Sequence, residues 1–403
     1  MKAAARPERL MVLGGSLYNI PAIRTLKSSN RQIIVVDRSP EAPGFAEADT
    51  PLCLDFSDQE LTLKAARELN INGILPFNDY GVVTAAYVAE ALGLSGISCK
   101  TAQNTTNKLK MRQIWDKAGL PSVRYRHVNS LEEAEEAVKS LNTWPLIFKP
   151  ADSRGGGSRG VSVVSGPDEV EHAMKFAQNY YTCPSVLIEE CLQGSEHSLE
   201  LLISQDQAIV FACSDKVKTP WPYCVDKSVI YPTALKPDEY REVAELAKRA
   251  VKELGIDIGA AHVEICMTAD GPRLFEVGAR LGGGGTPEPI LSHVTGHPVM
   301  QLWAEILLGG QLPSLQLNPP KGCIYDFIIA EPGVVESISG LKALENMPNI
   351  LDFGLTIKEG DTVCLVRTGL DRSGFIISAA ETRAEALSFA QKAQNILRIT
   401  TRN

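Results

Sequence analysis

Two glutamates and an arginine stand out because they interrupt apolar runs that a short turn joins. The stretch AAHVEICMTADGPRLFEVGARLGGGG, residues 260–285, carries Glu264 in its first run and Glu276 and Arg280 in its second. Its Asp-Gly turn signal predicts a β-hairpin. If residues 269–271 form the loop, positions whose numbers sum to 540 pair, and Glu264 lies opposite Glu276.

Carboxylates placed in this way predict a metal site. Opposite residues have Cβ atoms about 5 Å apart, and unpaired like charges in apolar strands would force one carboxyl to stay protonated. Mg²⁺ would remove the repulsion, because it accepts a few carboxylate oxygens and completes its shell with phosphate and water. Side chains alternate along a strand, so Arg280 would point the same way as Glu276, beside a phosphoryl or carboxylate group. The alternative is a buried Glu276–Arg280 ion pair, which leaves Glu264 unexplained.

A glycine loop in FKPADSRGGGSRGVSVV, residues 148–164, is the second candidate for chemistry. Its glycines free the backbone amides to surround an anion, while Ser153, Ser158 and two arginines add donors and positive charge. A Walker A loop would end in Gly-Lys-Ser/Thr before a helix, whereas a strand-like run follows here. Lys149, at the end of the preceding apolar run, can bridge phosphate oxygens. The alternative is a mobile surface hairpin.

Strand and helix patterns alternate over residues 10–97, which predicts a Rossmann-like parallel sheet with helices on both faces. A Gly14-Gly15 turn followed by Asp37 imitates a dinucleotide fingerprint, but the spaced third glycine is missing. We therefore expect a structural turn. The functional alternative is that this turn and Asn78-Asp79 line a substrate pocket at the carboxyl ends of the strands.

The remaining chain predicts further α/β and α+β structure. Residues 101–145 read as helical, and residues 145–190 as a small two-layer unit that we expect to act as a mobile lid. Long strands dominate up to Glu276, and the tail combines short antiparallel strands with a helix at Arg383–Ile396, which a capping box of Thr382 and Glu385 begins. The predicted domains are 1–100 (Rossmann-like), 101–310 (nucleotide-binding, with the lid) and 311–403 (a β-rich region that completes the catalytic domain).

Composition limits the partners and the compartment. The formal net charge is −8, which argues against nucleic acid or an anionic membrane as a partner. No apolar run is long enough to span a bilayer, and no signal peptide is recognisable. Nine scattered cysteines without a C-x-x-C pair indicate reduced thiols. We expect a cytoplasmic protein, for which a homodimer stays an option.

These pieces, in this order, resemble the ATP-grasp superfamily of carboxylate–amine ligases. Asn107-Lys108 and the residues after it look like the first lysine segment of that superfamily, and Lys149-Pro150 with the glycine loop looks like the second. VLIEECLQGSEHS, residues 186–198, resembles the segment that joins the two ATP-clamping lobes. The tail, with EPGVV at 331–335, resembles amino-acid ligases and glycinamide or aminoimidazole ribonucleotide ligases.

The resemblance implies an ATP-dependent carbon–nitrogen ligase. ATP phosphorylates a small-molecule carboxylate, and an amine attacks the acyl phosphate to give an amide, ADP and phosphate. The implied cofactors are ATP and Mg²⁺, with Mn²⁺ as an alternative.

The resemblance also implies roles for individual residues. Nucleotide binding falls to Lys108, Lys149, Ser153, Gly156, Gly157, Ser158, Gly160, Glu189, Glu190, Cys191, Leu192 and Glu196. Glu264 and Glu276 would hold the metal, and Arg280 and Lys149 would act in catalysis. Substrate contacts would come from His262, Gly282, Gly283, Gly284 and His293.

One departure and three alternatives stay open. Many relatives carry an asparagine metal ligand where this chain has Gly278. Within the superfamily, a purine-precursor ribonucleotide or bicarbonate could be the substrate. A non-catalytic ATP-binding module and a nicotinamide oxidoreductase are alternatives of other classes. Trp221 could either cover substrate or pack as an ordinary core tryptophan.

Overall fold

The computed structural model describes residues 7–27, 31–152, 156–180, 185–204 and 207–402, and these form four β-sheets with helices packed on them. Ser153 of the predicted phosphate loop lies outside the described residues. The fold is mixed α/β and α+β, as the sequence predicts. No helix in the described ranges combines the length and the apolarity needed to cross a membrane.

The N-terminal unit is a parallel sheet in the order β3-β2-β1-β4, which confirms the predicted Rossmann-like sheet. The apolar runs form buried strands because helices cover the sheet on both faces. Its elements are β1 (Glu8–Leu13), α1 (Ile20–Leu26), β2 (Arg31–Asp37), β3 (Thr50–Cys53), α2 (Gln59–Glu68), β4 (Gly73–Pro76) and α3 (Asp79–Leu92).

A smaller four-stranded sheet in the order β5-β8-β6-β7 follows, with its own apolar core against two helices. Its first strand corrects the helical reading of residues 101–145. Tyr125–Val128 is extended because it pairs with the edge of β8, a tertiary contact that local propensity does not reveal. The elements are α4 (Cys99–Thr105), α5 (Lys108–Lys117), β5 (Tyr125–Val128), α6 (Leu131–Leu141), β6 (Leu146–Pro150), β7 (Ser162–Val164), α7 (Val170–Gln178) and β8 (Val186–Glu190).

The largest sheet has eight strands in the order β13-β12-β9-β10-β11-β14-β18-β16, so strands from the tail complete the central unit. Its central elements are β9 (Gly194–Ser204), β10 (Gln207–Lys218), β11 (Asp226–Tyr231), α8 (Pro237–Leu254), β12 (Ile258–Thr268), β13 (Gly271–Gly278), α9 (Ser292–Thr295) and α10 (Val299–Leu307).

The tail adds three strands to this sheet, and β17, β15 and β19 form the fourth sheet. The helix at Arg383–Ile396 and its Thr382/Glu385 capping box are confirmed. One of the short strands of the tail, Thr362–Val363, has only two residues. The elements are β14 (Gly322–Ile328), β15 (Gly333–Ser339), α11 (Leu341–Glu345), β16 (Ile350–Leu355), β17 (Thr362–Val363), β18 (Gly374–Ala380), α12 (Arg383–Ile396) and β19 (Arg398–Arg402).

The β12–β13 hairpin has the predicted register at its carboxylates, because Glu264 pairs with Glu276. The turn is shorter than predicted, since Thr268 pairs with Gly271 and only two residues connect the strands. Phe275 is an extra residue in β13 that shifts the register by one. Without this bulge Glu264 would lie opposite Phe275, and the two carboxylates would point to opposite faces of the hairpin.

Candidate active site

A cavity of about 770 Å³ lies where the small sheet, the large sheet and the N-terminal unit meet. Most residues predicted to bind nucleotide, metal or substrate line it. From the nucleotide set these are Lys108, Lys149, Gly156, Gly157, Ser158, Glu189, Glu190, Cys191, Leu192 and Glu196, and from the other sets Glu264, Glu276, Arg280, His262, Gly283 and Gly284.

Three predicted residues do not line this cavity. The ring of His293 faces the backbone carbonyls of Gly322 and Ala380, each 3.2 Å away, which ties it to the ends of β14 and β18. Gly160 lies against Pro150, where a Cβ would come within 2.9 Å of the proline ring. Gly282 is buried, and its amide is bonded to a carboxylate described below.

The two hairpin carboxylates fit a hard, oxygen-seeking cation that also binds phosphate. Their side chains are 16% and 29% exposed for Glu264 and Glu276, so both reach the cavity. No group of three or more acidic, histidine or cysteine residues in the described part of the chain is placed to hold a metal ion. Two carboxylates suit Mg²⁺ when phosphate oxygens and water complete its shell.

Gly278 packs tightly against two charged side chains. A Cβ on Gly278 would lie 3.2 Å from Oδ1 of Asp79 and 3.4 Å from the guanidinium carbon of Arg280. These two side chains form an ion pair, with Arg280 Nη2 2.6 Å from Asp79 Oδ2. A side chain reaching in from the start of α3 in the N-terminal unit therefore occupies the space beside the hairpin.

A buried triad holds the second predicted lysine. Lys149 Nζ lies 2.7 Å from Glu189 Oε2, and Arg112 binds both oxygens of the same carboxylate at 2.9 and 3.1 Å. Burial lowers the pKa of Lys149, and Glu189 opposes this effect. Glu189 lines the cavity, but its carboxylate is committed to these cations and not directed to an adenine ring. Its chemical role here is to neutralise Lys149.

The first predicted lysine directly contacts one of the two carboxylates predicted to hold the metal. Lys108, at the start of α5, lies 3.1 Å from Glu276 Oε1. Asn107 fixes this helix start by accepting a hydrogen bond from the Lys110 amide, and the Lys108 amide donates to the carbonyl of Ala151 in the small sheet. Lys108 therefore connects the small sheet, through its backbone amide, with the β12–β13 hairpin, through its ammonium group.

A chain of alternating charges crosses the large sheet under the cavity. Its links are ion pairs or hydrogen bonds between strands β9, β10 and β12 and Asp226, the first residue of β11. In order its members are Glu200, His262, Glu264, Lys216, Asp226, Lys218 and Glu196. Each member has a neighbour of opposite charge, which offsets part of the cost of burying it.

Neighbouring charges in this network determine the protonation of His262 and Glu264. Burial alone would lower the pKa of His262, but Glu200 and Glu264 raise it to about 9, so the imidazole is a cation at neutral pH. Burial alone would raise the pKa of Glu264, but Lys216 and His262 hold it well below its usual range. The predicted metal carboxylate is therefore ionised.

The segment after β8 provides polar backbone and no reactive thiol. The Cys191 amide donates to the Pro145 carbonyl at 3.2 Å, and Glu190 pairs with Arg124 at 2.7 Å. Burial raises the pKa of the Cys191 thiol to about 11. The eight cysteines in the described ranges are all free thiols, and this one is protonated at neutral pH.

The first glycine turn argues against dinucleotide binding. The Gly15 amide donates to Asp37 Oδ2 at 2.8 Å, and the Ser39 amide donates to Oδ1 of the same residue at 2.9 Å. A carboxylate thus satisfies the donor that a pyrophosphate would need. Ser16 of this turn, Asn78 and Asp79 nevertheless line the cavity, as the functional alternative for the turn predicted.

Sequence reasoning missed Glu200, Lys216, Lys218 and Asp226 as members of this site, and it named Asp79 as a pocket residue without its ion pair to Arg280. The lysines stand at alternate positions of β10, so their spacing placed them on one face of a strand. A charged pair at alternate positions of an apolar strand was the available signal. Which sheet face is buried, and which strands adjoin, follows only from the pairing of β9 through β12.

Two family models match parts of this chain. Residues 142–288 match an ATP-grasp domain, and residues 326–402 match L-amino acid ligase C-terminal domain 2. An alanine–anticapsin ligase from Bacillus subtilis (strain 168) is 28% identical over 275 residues. That match covers 62% of this chain and 57% of the ligase, so the chain spans less than two thirds of that relative.

Solved structures share the whole fold. An L-amino acid ligase from Bacillus licheniformis superposes with a TM-score of 0.84 at 23% identity, over 99% of this chain and 100% of that one. A phosphoribosylglycinamide synthetase from Anaerococcus prevotii superposes with a TM-score of 0.77 at 19% identity, over 98% and 100% of the two chains. Residues 142–288 of the chain thus belong to an ATP-grasp domain and residues 326–402 to an L-amino acid ligase C-terminal domain 2, on a fold that these solved structures share.

Proposed function

We propose that the protein is an ATP-dependent ligase that joins a small-molecule carboxylate to an amine through an acyl phosphate. The observation that carries this proposal is the meeting, in one cavity, of the Glu264/Glu276 pair with Lys108, Lys149 and Arg280. Opposed carboxylates, two lysines and an arginine supply what phosphoryl transfer needs, which is positioning and neutralisation of charge.

The proposed reaction has two steps. A carboxylate oxygen of the acid attacks the γ-phosphorus of ATP, the bond between this phosphorus and the β–γ bridging oxygen breaks, and ADP leaves. The amine nitrogen then attacks the acyl carbon, phosphate leaves with the bonding electrons, and the nitrogen loses a proton to solvent or phosphate. Both steps develop negative charge on phosphoryl oxygens, which nearby cations and backbone amides stabilise.

The residues of this chain divide that task. Lys108 and Lys149, held by Glu276 and Glu189, lie at the boundary between the small and large sheets, where phosphates would bridge the two. Arg280 faces the N-terminal unit, so it would hold the acyl phosphate or the acid. Glu264 and Glu276 would hold Mg²⁺, or Mn²⁺ in its place, which when bound supplies positive charge to the phosphate oxygens.

The glycine loop would exclude water from this intermediate. Gly157 accepts a hydrogen bond of 2.7 Å from the Gly369 amide, and Arg159 stacks over the ring of Tyr80. Both contacts bring the small sheet across the cavity towards the tail and the N-terminal unit. Closure of this kind protects an acyl phosphate from hydrolysis, so we assign the small sheet as the lid.

An unphosphorylated acid is favoured over a purine-precursor ribonucleotide. Asn78 and Asp79 give the N-terminal side of the cavity a neutral to acidic lining. Arg280 is already neutralised there by Asp79, at 2.6 Å. This lining suits an unphosphorylated acid better than a substrate that carries a second phosphate. The cytoplasmic location and the homodimer stay predictions.

The decisive experiment is phosphate release from Mg-ATP across a panel of carboxylates, each with and without amines. Release that requires both an acid and an amine, with amide detected by mass spectrometry, would support the proposal. Glu276→Gln should abolish release, while Glu245→Gln, an exposed glutamate of α8, should leave it unchanged. If no pair releases phosphate above the ATP-only rate, the ligase proposal fails.

A further inference from the structure

The glycine run at 282–285 is anchored at both ends by buried side chains. The Gly282 amide donates to Glu200 Oε2 at 2.8 Å, and the Gly285 amide donates to the hydroxyl of Tyr325 at 3.2 Å. Glu200 is completely buried and Tyr325 is 1% exposed. Two of the four amides are thus already occupied by protein acceptors.

The two middle amides are different. Gly283 and Gly284 line the cavity, and within the described ranges their amides donate to no protein acceptor. Gly284 has a φ of 68°, in the left-handed region. Successive amides around such a residue converge into an anion-binding concavity. The anion cradle is therefore confined to two amides instead of the four suggested by the sequence.

The anchors also explain why glycine is needed at positions 282 and 284. A Cβ on Gly282 would lie 2.6 Å from Glu200 Oε1, and a Cβ on Gly284 would overlap the Tyr325 hydroxyl. A Cβ on Gly283 would meet nothing within 4 Å. The glycines at 282 and 284 let the anchors approach, whereas Gly283 faces open space.

Glu200 connects this run to the rest of the site. Its second oxygen, Oε1, lies 2.6 Å from His262 Nδ1, and His262 Nε2 lies 3.2 Å from the predicted metal ligand Glu264. A displacement of Glu200 would therefore move both the glycine run and the imidazole. Tyr325 is fixed independently, because its ring packs against Phe327 and Phe375, with ring centroids 4.4 and 5.8 Å away.

We infer that Glu200 and Tyr325 are positioning residues that hold the Gly283 and Gly284 amides towards the transferred phosphoryl group. The inference rests on the proposed function, because that function supplies the phosphoryl group. Neither residue touches the reacting atoms; each acts through a backbone amide at one end of the run. Loosening either end would cost phosphoryl affinity while leaving the binding of ADP nearly unchanged.

The test uses MgADP with fluoroaluminate, which imitates the transferred phosphoryl group, and measures affinity by calorimetry. Wild-type protein should bind MgADP more tightly when fluoroaluminate is present. Tyr325→Phe keeps the ring and removes the hydroxyl, so about 10-fold of this tightening should be lost, as expected for one hydrogen bond. The affinity for MgADP alone should change less than about 2-fold on the same grounds. Tyr240→Phe, a partly buried tyrosine of α8 outside the cavity, is the matched control.

Glu200→Gln provides a second variant if Tyr325→Phe does not fold, and thermal melts establish the folding of each. A purely structural role would lower the melting temperature and leave the fluoroaluminate effect intact. The inference is overturned if both variants keep the full tightening, or if wild-type protein shows none. If MgADP itself does not bind, the proposed function fails first and the inference falls with it.

Discussion

Replacing Glu189 by glutamine should be unusually destabilising for a change of one atom. Glu189 is 2% exposed, and its carboxylate is the counter-charge of two buried cations, Arg112 and Lys149. Arg112 is completely buried and donates additionally to the Phe275 carbonyl at 2.6 Å. Glutamine preserves the shape and one carbonyl acceptor but removes the negative charge, so two cations would be left without a carboxylate.

The size of the loss follows from this burial. Removing one partner of a buried ion pair costs about 3–5 kcal/mol, because the remaining charge is desolvated and unpaired. The neighbouring Glu190 offers a matched control, since its partner Arg124 has a side chain 60% exposed. Exposed pairs contribute at most about 1 kcal/mol. Glu189→Gln should therefore cost several times more than Glu190→Gln.

Urea unfolding followed by tryptophan fluorescence and circular dichroism measures both variants. Trp115 is a local reporter, because it is completely buried and Arg112 lies over its ring at 5.3 Å. Equal and small losses for the two variants would refute the reasoning, since they would show that the buried carboxylate is not needed to neutralise the cations.

Lys149 gives the same variant a second readout. Burial lowers the pKa of Lys149 and Glu189 opposes that effect, so removing Glu189 should lower this pKa further. A lysine binds phosphate as a cation, and affinity for ATP should be lost as pH rises through its pKa. The alkaline loss of ATP affinity should therefore occur at lower pH in Glu189→Gln than in wild-type protein. Unchanged pH dependence would contradict the assignment of Lys149 as a phosphate ligand.

Three further changes test other parts of the structure. Gly278→Asn should lower phosphate release more than 10-fold, a loss typical of a displaced site residue, because the new side chain would push aside the Asp79 carboxylate, 3.2 Å from its Cβ, and disturb the ion pair with Arg280; if it raises activity, that ion pair does not position the site as described. Burial would raise the pKa of Asp215, but hydrogen bonds from its neighbours lower it to about 2, so wild-type stability should fall between pH 4 and 2, and urea midpoints of Asp215→Asn should fall less over that range. Gly369→Pro removes the amide that donates to Gly157 at 2.7 Å, and stopped-flow release of a fluorescent ATP analogue should become faster; an unchanged rate would show that this contact does not hold the lid.

Part of the site could be predicted because its residues lie on one hairpin. The Asp-Gly turn placed Glu264 opposite Glu276 from sequence spacing alone, and that pairing is confirmed. The prediction succeeded although its turn was one residue too long. A two-residue turn shifts the register by one, and the bulge at Phe275 shifts it back. The error in the turn length and the unforeseen bulge therefore cancelled. Bulges depend on packing against neighbouring strands, which spacing does not reveal.

The rest of the site could not be predicted because its residues meet only through tertiary pairing. Asp79 is separated from Arg280 by 201 positions, and Tyr325 from Gly285 by 40. Tyr325 was an ordinary polar residue in its own segment, and nothing in the sequence paired Asp79 with Arg280. The helical reading of residues 101–145 failed for the same reason, since β5 owes its extended form to β8. Local pattern identified the elements, and the strand order decided which side chains meet.

The charge pairs in the cavity imply that nucleotide and divalent cation bind interdependently. Lys108 is paired with Glu276, and Lys216 with Glu264, so each proposed metal ligand already has an ammonium partner. A divalent cation that takes the two carboxylates would release both lysines, and phosphates that take Lys108 would release Glu276. The ligand that binds first thus breaks an ion pair that the second ligand would otherwise have to break. By linkage, each ligand then raises the affinity for the other by the same factor.

The coupling should exceed the ordinary chelation of Mg²⁺ by ADP. Chelation is measured with ADP and Mg²⁺ in free solution, and calorimetry then gives the affinity of the protein for ADP with and without Mg²⁺, and for Mg²⁺ with and without ADP. Lys216→Met removes one ammonium competitor, so Mg²⁺ alone should bind this variant more tightly than wild-type protein, and the coupling should shrink. If Mg²⁺ alone binds both proteins equally, Lys216 does not compete for Glu264, and the alternating charges serve the fold of the sheet alone.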